Sequence, residues 1–107
     1  MQTPMFSKRQ TPSARDSGFD VLQHEMAGEA AAALGRIGGK MEKALSALRA
    51  FDAGEDQAGP REALVKAAAK ATWMFFVQRE SLGLRDQRPV IAQHQIPREV
   101  LLKLGAS

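Results

Sequence analysis

The residues that could do chemistry lie mainly in one short stretch of this chain, positions 78–86. Its charged members are Arg79, Glu80, Arg85 and Asp86. An arginine on the apolar side of a helix presents a permanently charged fork to an anion, so one hypothesis is a small-anion ligand site or an enzyme site centred on these residues. The alternative, which we favour, is a group of salt bridges in which the two arginines meet nearby acids, or an acid of the first helix, and fix the next turn.

Histidine and cysteine patterns do not complete a catalytic or metal-binding motif. His24-Glu25 begins like the zinc-protease motif, but the fifth position, which would have to be the second histidine ligand, is Gly28. His94 is the other histidine, and the absence of cysteine excludes disulfides and thiolate metal sites. We therefore expect no metal, no cofactor and no catalytic residue, and a protein that is not an enzyme.

Size and composition are those of one soluble globular domain. The chain has 107 residues, 44% hydrophobic and 25% charged. Its net charge is only +3 and the two signs are interleaved, which disfavours a nucleic-acid surface. The apolar run from Ala71 to Val77 is far shorter than the roughly 20 residues that span a bilayer. We expect a cytoplasmic protein with no membrane attachment.

A long helix is predicted for the first half of the chain. Residues 1–16 have the composition of a flexible tail, and a single helical domain, residues 17–107, is expected to open at Ser17, which forms a capping-box pattern with Asp20. The expected core-side residues of the helix are Leu22, Met26, Ala30, Ala33, Ile37, Met41, Ala44 and Leu48. Their spacing averages about 3.7 residues, which keeps the stripe on one face of a helix. The helix should end near Phe51.

Small residues recur on the face predicted to lie opposite that stripe. They are Gly28, Ala31, Ala32, Gly35, Gly38 and Gly39. One interpretation is a smooth surface that another helix or a second copy can approach closely. The other is a helix break at Gly38-Gly39, since each interior glycine costs about 1 kcal/mol relative to alanine. We favour one continuous helix, because the apolar stripe crosses the glycine pair in phase.

A second helix is expected to pack antiparallel to the first. Residues 52–59 form an acidic loop, and Pro60 is expected at N1 with Glu62 at N3. The helix should end near Leu82, where Gly83 begins the pattern of a Schellman cap. Its predicted core face comprises Leu64, Ala68, Ala71, Phe75, Arg79 and Leu82.

Two short helices are predicted in the last quarter. Asp86 or Arg88 can cap the first, and Pro97 is expected to begin the second with Glu99 at N3. We expect both to cover the aromatic turn of the second helix. The predicted fold class is therefore all-α, a long antiparallel helical hairpin capped by two short C-terminal helices.

Trp73 and Val77 are predicted on the solvent side of the second helix, among lysines. A homodimer interface could combine them with the small-residue face; its residues would be Gly28, Ala32, Gly35, Gly39, Trp73 and Val77. Aromatic anchors of this kind are typical of interfaces. The alternative is burial of Trp73 under the N-terminal tail or the C-terminal helices. The leading hypothesis is a non-enzymatic interaction or structural module that self-associates, with an unidentified protein partner also compatible.

A DNA-associated regulator that uses residues 87–104 is an alternative function. Two short helices separated by a turn resemble a reduced helix-turn-helix, with Arg98 and Lys103 available to phosphates. The usual turn glycine is missing, and a leucine-rich second helix leaves few side chains to read bases. We therefore rank this hypothesis below self-association.

Three segments resemble those of a family of small, all-helical bacterial proteins of unknown function. They are Phe76 to Glu80, Gly83 to Asp86 and Ile96 to Leu101. Together with the long alanine-rich helix, the resemblance covers about residues 18–105. It implies an all-helical fold and a bacterial cytoplasmic setting, and it assigns no activity.

Overall fold

The described part of the chain contains four α-helices. The structure, a computed structural model, describes residues 14–57 and 59–105. The helices are α1 (Ala14–Asp52), α2 (Arg61–Ser81), α3 (Arg88–His94) and α4 (Arg98–Leu102). The described residues contain no β-strand, and the predicted all-α class is confirmed.

The first helix, α1, starts earlier than predicted and does not break at its glycine pair. It runs for 39 residues from Ala14 to Asp52. Ser17 therefore lies inside the helix and is not its N-cap. Ala14 and Arg15 are good helix formers, which favours the earlier start. Residues 14–16, predicted as tail, are helical, and residues 1–13 lie outside the described residues. The helix continues through Gly38 and Gly39, as predicted.

The second helix, α2, runs antiparallel to the C-terminal part of α1. At the start of α2, Nε of Arg61 lies 2.7 Å from Oδ1 of Asp52 at the end of α1. Fourteen residues farther from that end along both helices, the ring of Phe75 lies against Gly38. Equal spacing on both helices is what antiparallel packing at a small crossing angle requires. The predicted hairpin is therefore present.

All four helices contribute residues to one hydrophobic core. Its buried residues are Met41, Leu45, Leu48, Val65, Ala68, Ala69, Phe75, Phe76, Val90, Ile96 and Val100. Val90 from α3 and Val100 from α4 thus join the same cluster as Phe75 and Phe76. The prediction that the C-terminal helices cover the aromatic turn is confirmed.

The apolar stripe predicted along α1 is buried only in its C-terminal part. Met41 and Leu48 are in the core, whereas Leu22 and Met26 are 52% and 61% exposed. Internal contacts divide the chain into one unit that ends at Ala32 and another that begins with the next residue. The physical reason is the difference in helix length. With 21 residues, α2 can pack along only about half of α1, which has 39 residues.

Gly38 lies on the core face of α1, and its assignment to the opposite face was wrong. A Cβ added at Gly38 would lie 2.9 Å from Cε1 of Phe75, whereas one at Gly39 would meet nothing within 4 Å. The buried face contains Leu45 in addition to Met41 and Leu48 of the predicted stripe, so it is rotated toward Leu45, and this rotation brings Gly38 onto it. The missing side chain lets an aromatic ring pack directly on the helix backbone.

The ends of α2 are close to the predicted positions. Pro60 is the N-cap, in an extended conformation, so Arg61 is the first helical residue and the predicted N1 position of Pro60 is one residue early. At the other end, the amides of Gly83 and Leu84 donate to the carbonyls of Glu80 and Arg79, at 3.0 and 2.9 Å. With a φ of 87° at Gly83, these bonds form the predicted Schellman cap.

The buried face of α2 includes Ala68 and Phe75, as predicted, and also Val65, Ala69, Thr72 and Phe76, which were not on the predicted core face. Leu82, predicted in the core, is 42% exposed because the helix ends at Ser81 and the chain no longer continues its face. Thr72 is completely buried, and its hydroxyl has no hydrogen-bond partner within the described part of the chain. Among the described residues, this hydroxyl is the one buried side-chain polar group without a partner.

The two C-terminal helices are short; the cap of α3 lies between the two predicted candidates, Asp86 and Arg88, and α4 begins one residue later than predicted. Gln87 is the N-cap of α3 and Pro97 that of α4, which puts Glu99 at N2 instead of N3. Asp86 still contributes at the start of α3, because its Oδ1 accepts the Arg88 amide at 3.1 Å. Pro97 precedes the helix because its extended backbone suits a cap position.

Replacing Gly38 by alanine is expected to lower the free energy of unfolding. The added methyl would overlap the buried Phe75 ring, and the displacement should outweigh the gain of about 1 kcal/mol that alanine brings to a helix interior. The matched control is Gly39→Ala, where the space is open and the same gain should appear as higher stability. Urea denaturation followed by circular dichroism compares the two, and equal stabilisation in both would contradict this packing.

Replacing Thr72 by valine is expected to stabilise the protein by about 1 kcal/mol. Valine has nearly the same shape and removes a buried hydroxyl that has no partner among the described residues. Thermal unfolding measures the change, and Thr72→Ser is the control because it keeps the hydroxyl and removes the methyl group. A valine variant less stable than the natural protein would mean that the hydroxyl is bonded.

Candidate interaction surface

Arg79 is held by neutral acceptors in the turn that follows α2. Its Nε donates to Oε1 of Gln87 at 2.7 Å, and its terminal nitrogen donates to the backbone carbonyl of Asp86 at 2.9 Å. Gln87 in turn donates to the carbonyl of Leu84 at 3.3 Å. The guanidinium is partly buried and ties the end of α2 to the start of α3. This geometry favours a structural role for Arg79, although its partners are not the acids that the sequence suggested.

The other charged residues of the predicted site do not converge with Arg79 on one point. The carboxylate of Asp86 forms an ion pair with Arg88, at 2.9 Å from its Nε, on the protein surface. Arg88, through its side chain and its backbone amide, lowers the pKa of Asp86 to about 2. Glu80 and Arg85 are exposed and form no salt bridge with a described residue. The four predicted residues are thus adjacent in sequence without forming a common site.

A more extensive ion-pair network, centred on Arg61, was not predicted. Its guanidinium donates to both oxygens of Asp52, at 2.7 and 3.0 Å, and to both oxygens of Glu99, at 2.9 and 2.6 Å. These bonds lower the pKa of both carboxyl groups and raise the pKa of Arg61 above its ordinary value. One side chain therefore joins the end of α1, the start of α2 and the start of α4.

A second cross-link joins α1 to α3. Nδ1 of His94 lies 2.8 Å from Oε1 of Glu42, and this hydrogen bond, followed by that from Arg49, lowers the pKa of the Glu42 carboxyl group. The His94 ring also meets Phe75 edge to face, with 6.4 Å between the ring centroids. His94 therefore packs beside the core and links α3 to α1.

Trp73, Met74 and Val77 form an exposed apolar patch on α2. Their side chains are 48%, 47% and 44% exposed. Residues at these three positions lie within one 100° sector of a helix, so their exposed surfaces are continuous. The predicted position of Trp73 and Val77 outside the core is confirmed. The Trp73 ring lies near Gly105, where an added Cβ would be 4.0 Å from Cζ3 at the edge of the ring.

The small-residue face of α1 is open at the positions predicted for an interface. Cβ atoms added to Gly28, Gly35 or Gly39 would meet nothing within 4 Å, and Ala32 is exposed. These positions provide room for a close approach and no chemical group.

An apolar groove between α1 and α2 was not predicted. Its lining residues are Ile37, Lys40, Ala67, Lys70, Ala71 and Met74. The floor is aliphatic, one lysine comes from each helix, and no acidic residue lines it. Met74 belongs both to this groove and to the apolar patch, so the two surfaces are continuous. The sequence places Lys40 and Lys70 on separate helices and does not show that they are close together. The packing of α1 on α2 brings both lysines to one groove.

A separate shallow concavity lies on the N-terminal part of α1. Leu22, Met26, Glu25 and Glu29 line it together with Gly28 and Ala32. Two large apolar side chains and two carboxylates thus share one face, because residues three and four apart are neighbours on a helix. Phe19 and Val21 are also exposed, at 60% and 59%.

Within residues 14–57 and 59–105, no group of three or more histidine, aspartate or glutamate side chains is arranged to hold a metal ion. None of the helices in these ranges combines the length and apolar character needed to cross a bilayer.

The features above define a small all-helical protein with a long first helix, an antiparallel second helix and two short helices that complete the core. The chain belongs to a family of unknown function, DUF6665, whose model matches residues 11–107. The predicted resemblance to a family of unknown function is confirmed. No curated protein and no solved structure matches the chain.

Replacing Arg61 by glutamine is expected to destabilise the protein at neutral pH and much less in acid. The pKa values of Asp52 and Glu99 are lowered below their ordinary values of 3.8 and 4.5, so the stabilisation exists above those values and is lost as pH falls through the lower pKa values of the folded state. The difference in urea midpoint between the natural protein and the variant should therefore shrink as pH falls below about 4.5.

Arg88→Gln is the control for that experiment. Arg88 pairs with an acid only two residues away and joins no separate helices, so its loss should change the urea midpoint little at neutral pH. An effect of Arg61→Gln that stayed constant from neutral pH to about pH 3 would contradict a role based on the two carboxylates.

Proposed function

We propose that this protein is a non-enzymatic interaction module that self-associates as a homodimer through the exposed face of α2. The observation that carries the proposal is the continuous patch of Trp73, Met74 and Val77, each close to half exposed. Large apolar side chains grouped in this way are favourable to cover, and tryptophan is among the residues most enriched at the energetic centre of interfaces.

The surroundings of the patch support contact with another protein surface. On one side, Met74 leads into the aliphatic groove with its two lysines. Such an apolar centre with charged residues at its edge is the usual composition of a protein interface. The open glycine positions of α1 add a surface that a second helix can approach without steric hindrance.

The alternative functions have less support. For DNA binding, Lys103 is engaged with Glu62 at 2.9 Å, and α4 has only five residues, which leaves little helix to enter a groove. For anion binding, two nitrogens of Arg79 already donate to protein acceptors. Neither alternative has an observation comparable to the exposed apolar patch.

Replacing Trp73 by alanine is expected to weaken dimerisation about tenfold or more, since truncation of a central tryptophan removes one of the largest single contributions to an interface. Light scattering on a size-exclusion column, over a range of protein concentrations, gives the dissociation constant of the natural protein and the variant. Absorbance at two wavelengths in the same run reports any nucleic acid that co-purifies.

Leu102→Ala is the matched control, because Leu102 is a large apolar residue of α4 that is 70% exposed and lies outside the patch. It should leave the dissociation constant unchanged. A natural protein that remains monomeric at all accessible concentrations would overturn the proposed function.

A further inference from the structure

We propose that the groove lined by Lys40 and Lys70 binds the acidic apolar face of α1, residues 19–29, from a second copy of the chain, and that the two copies do so reciprocally. This inference rests on the proposed self-association and adds a second contact, which adjoins the Trp73 patch at Met74. In each contact, Leu22 and Met26 of one copy cover the aliphatic floor while Glu25 and Glu29 face the two lysines of the other copy.

The groove has the chemistry of a receptor for an amphipathic helix. Ile37, Ala67, Ala71 and Met74 provide an apolar floor between two helices. Lys40 and Lys70 stand on opposite helices, and neither forms a salt bridge with a described residue. Helices that bind in such grooves present apolar residues to the floor and charged residues to the edges. The groove is therefore complementary to a helix with a narrow apolar stripe and acidic residues beside that stripe.

The N-terminal part of α1 has these features. Leu22 and Met26 are more than half exposed, and they share a surface concavity with Glu25 and Glu29. Residues 14–32 contain four acids and one arginine, whereas the two ionisable residues of the groove are both basic. Glu25 and Glu29 are one turn apart, about 6 Å along the helix axis, so both can reach the same groove.

A second copy accounts for both unsatisfied surfaces at once. An exposed single helix of this length with interior glycines is marginal in water unless its apolar face is covered. In a dimer with two-fold symmetry, the α1 face of each copy lies in the groove of the other copy. Two identical contacts form, and both α1 faces and both grooves are covered. The apolar contacts supply most of the affinity, and the charges select the partner and its orientation.

Two double variants test this pairing. Lys40→Glu with Lys70→Glu makes the groove acidic, and Glu25→Lys with Glu29→Lys makes the helix face basic. Each variant alone should have a homodimer dissociation constant raised at least tenfold, because like charges then meet in both contacts. Light scattering on a size-exclusion column should show each variant as a monomer at a concentration where the natural protein is a dimer.

An equimolar mixture of the two variants should return to the mass of a dimer. In the mixed dimer, one contact has both charges reversed and the other has the natural charges, so each contact is again complementary. Circular dichroism of each variant must match that of the natural protein, which establishes that the loss of association is not unfolding. The matched control is Lys43→Glu with Lys66→Glu, which changes net charge equally on the same two helices outside the groove lining and should leave the dimer intact.

The outcomes separate this inference from the proposed function. If the natural protein dimerises but the groove variant dimerises equally well, or if the mixture stays monomeric, the pairing is overturned while self-association stands. If the natural protein is a monomer at all concentrations, both fail.

Discussion

The packing of α2 against the C-terminal part of α1 is the interaction on which the rest of the structure depends. Gly38 allows the Phe75 ring to lie directly on the α1 backbone, and the His94 ring meets the same Phe75 ring edge to face. Because the two long helices are held together, they form a fixed surface on which α3 and α4 pack. The contact of the Phe75 ring with the α1 backbone thus lies in the same core to which Val90 of α3 and Val100 of α4 contribute.

Charged residues hold the ends of this arrangement rather than forming a reactive centre. Arg61 connects three helices by binding two carboxylates, and Arg79 connects α2 to α3 through an amide and a backbone carbonyl. In each case the arginine fork is filled by protein acceptors. Fixing helix ends in this way matters most for α3 and α4, because helices of seven and five residues have little stability of their own.

Helix length links the fold to the proposed function. The long α1 continues beyond what α2 can cover, and its N-terminal part carries exposed apolar and acidic side chains. The groove beside α2 is apolar and basic. Complementary surfaces of this kind on one chain are the basis of the proposed association between copies.

Local patterns in the sequence determined the helices and most of their limits. Gly83 and Leu84 specify the cap of α2, and the unbroken phase of the apolar stripe predicted a continuous α1, because both depend on neighbours within a few residues. Tertiary structure alone decided which part of that stripe is buried, that Gly38 faces the core, and that Arg61 meets an acid 38 residues away. It also brought Lys40 and Lys70 to one groove. Periodicity fixes which side chains share a helix face, whereas partner length and packing decide what, if anything, covers that face.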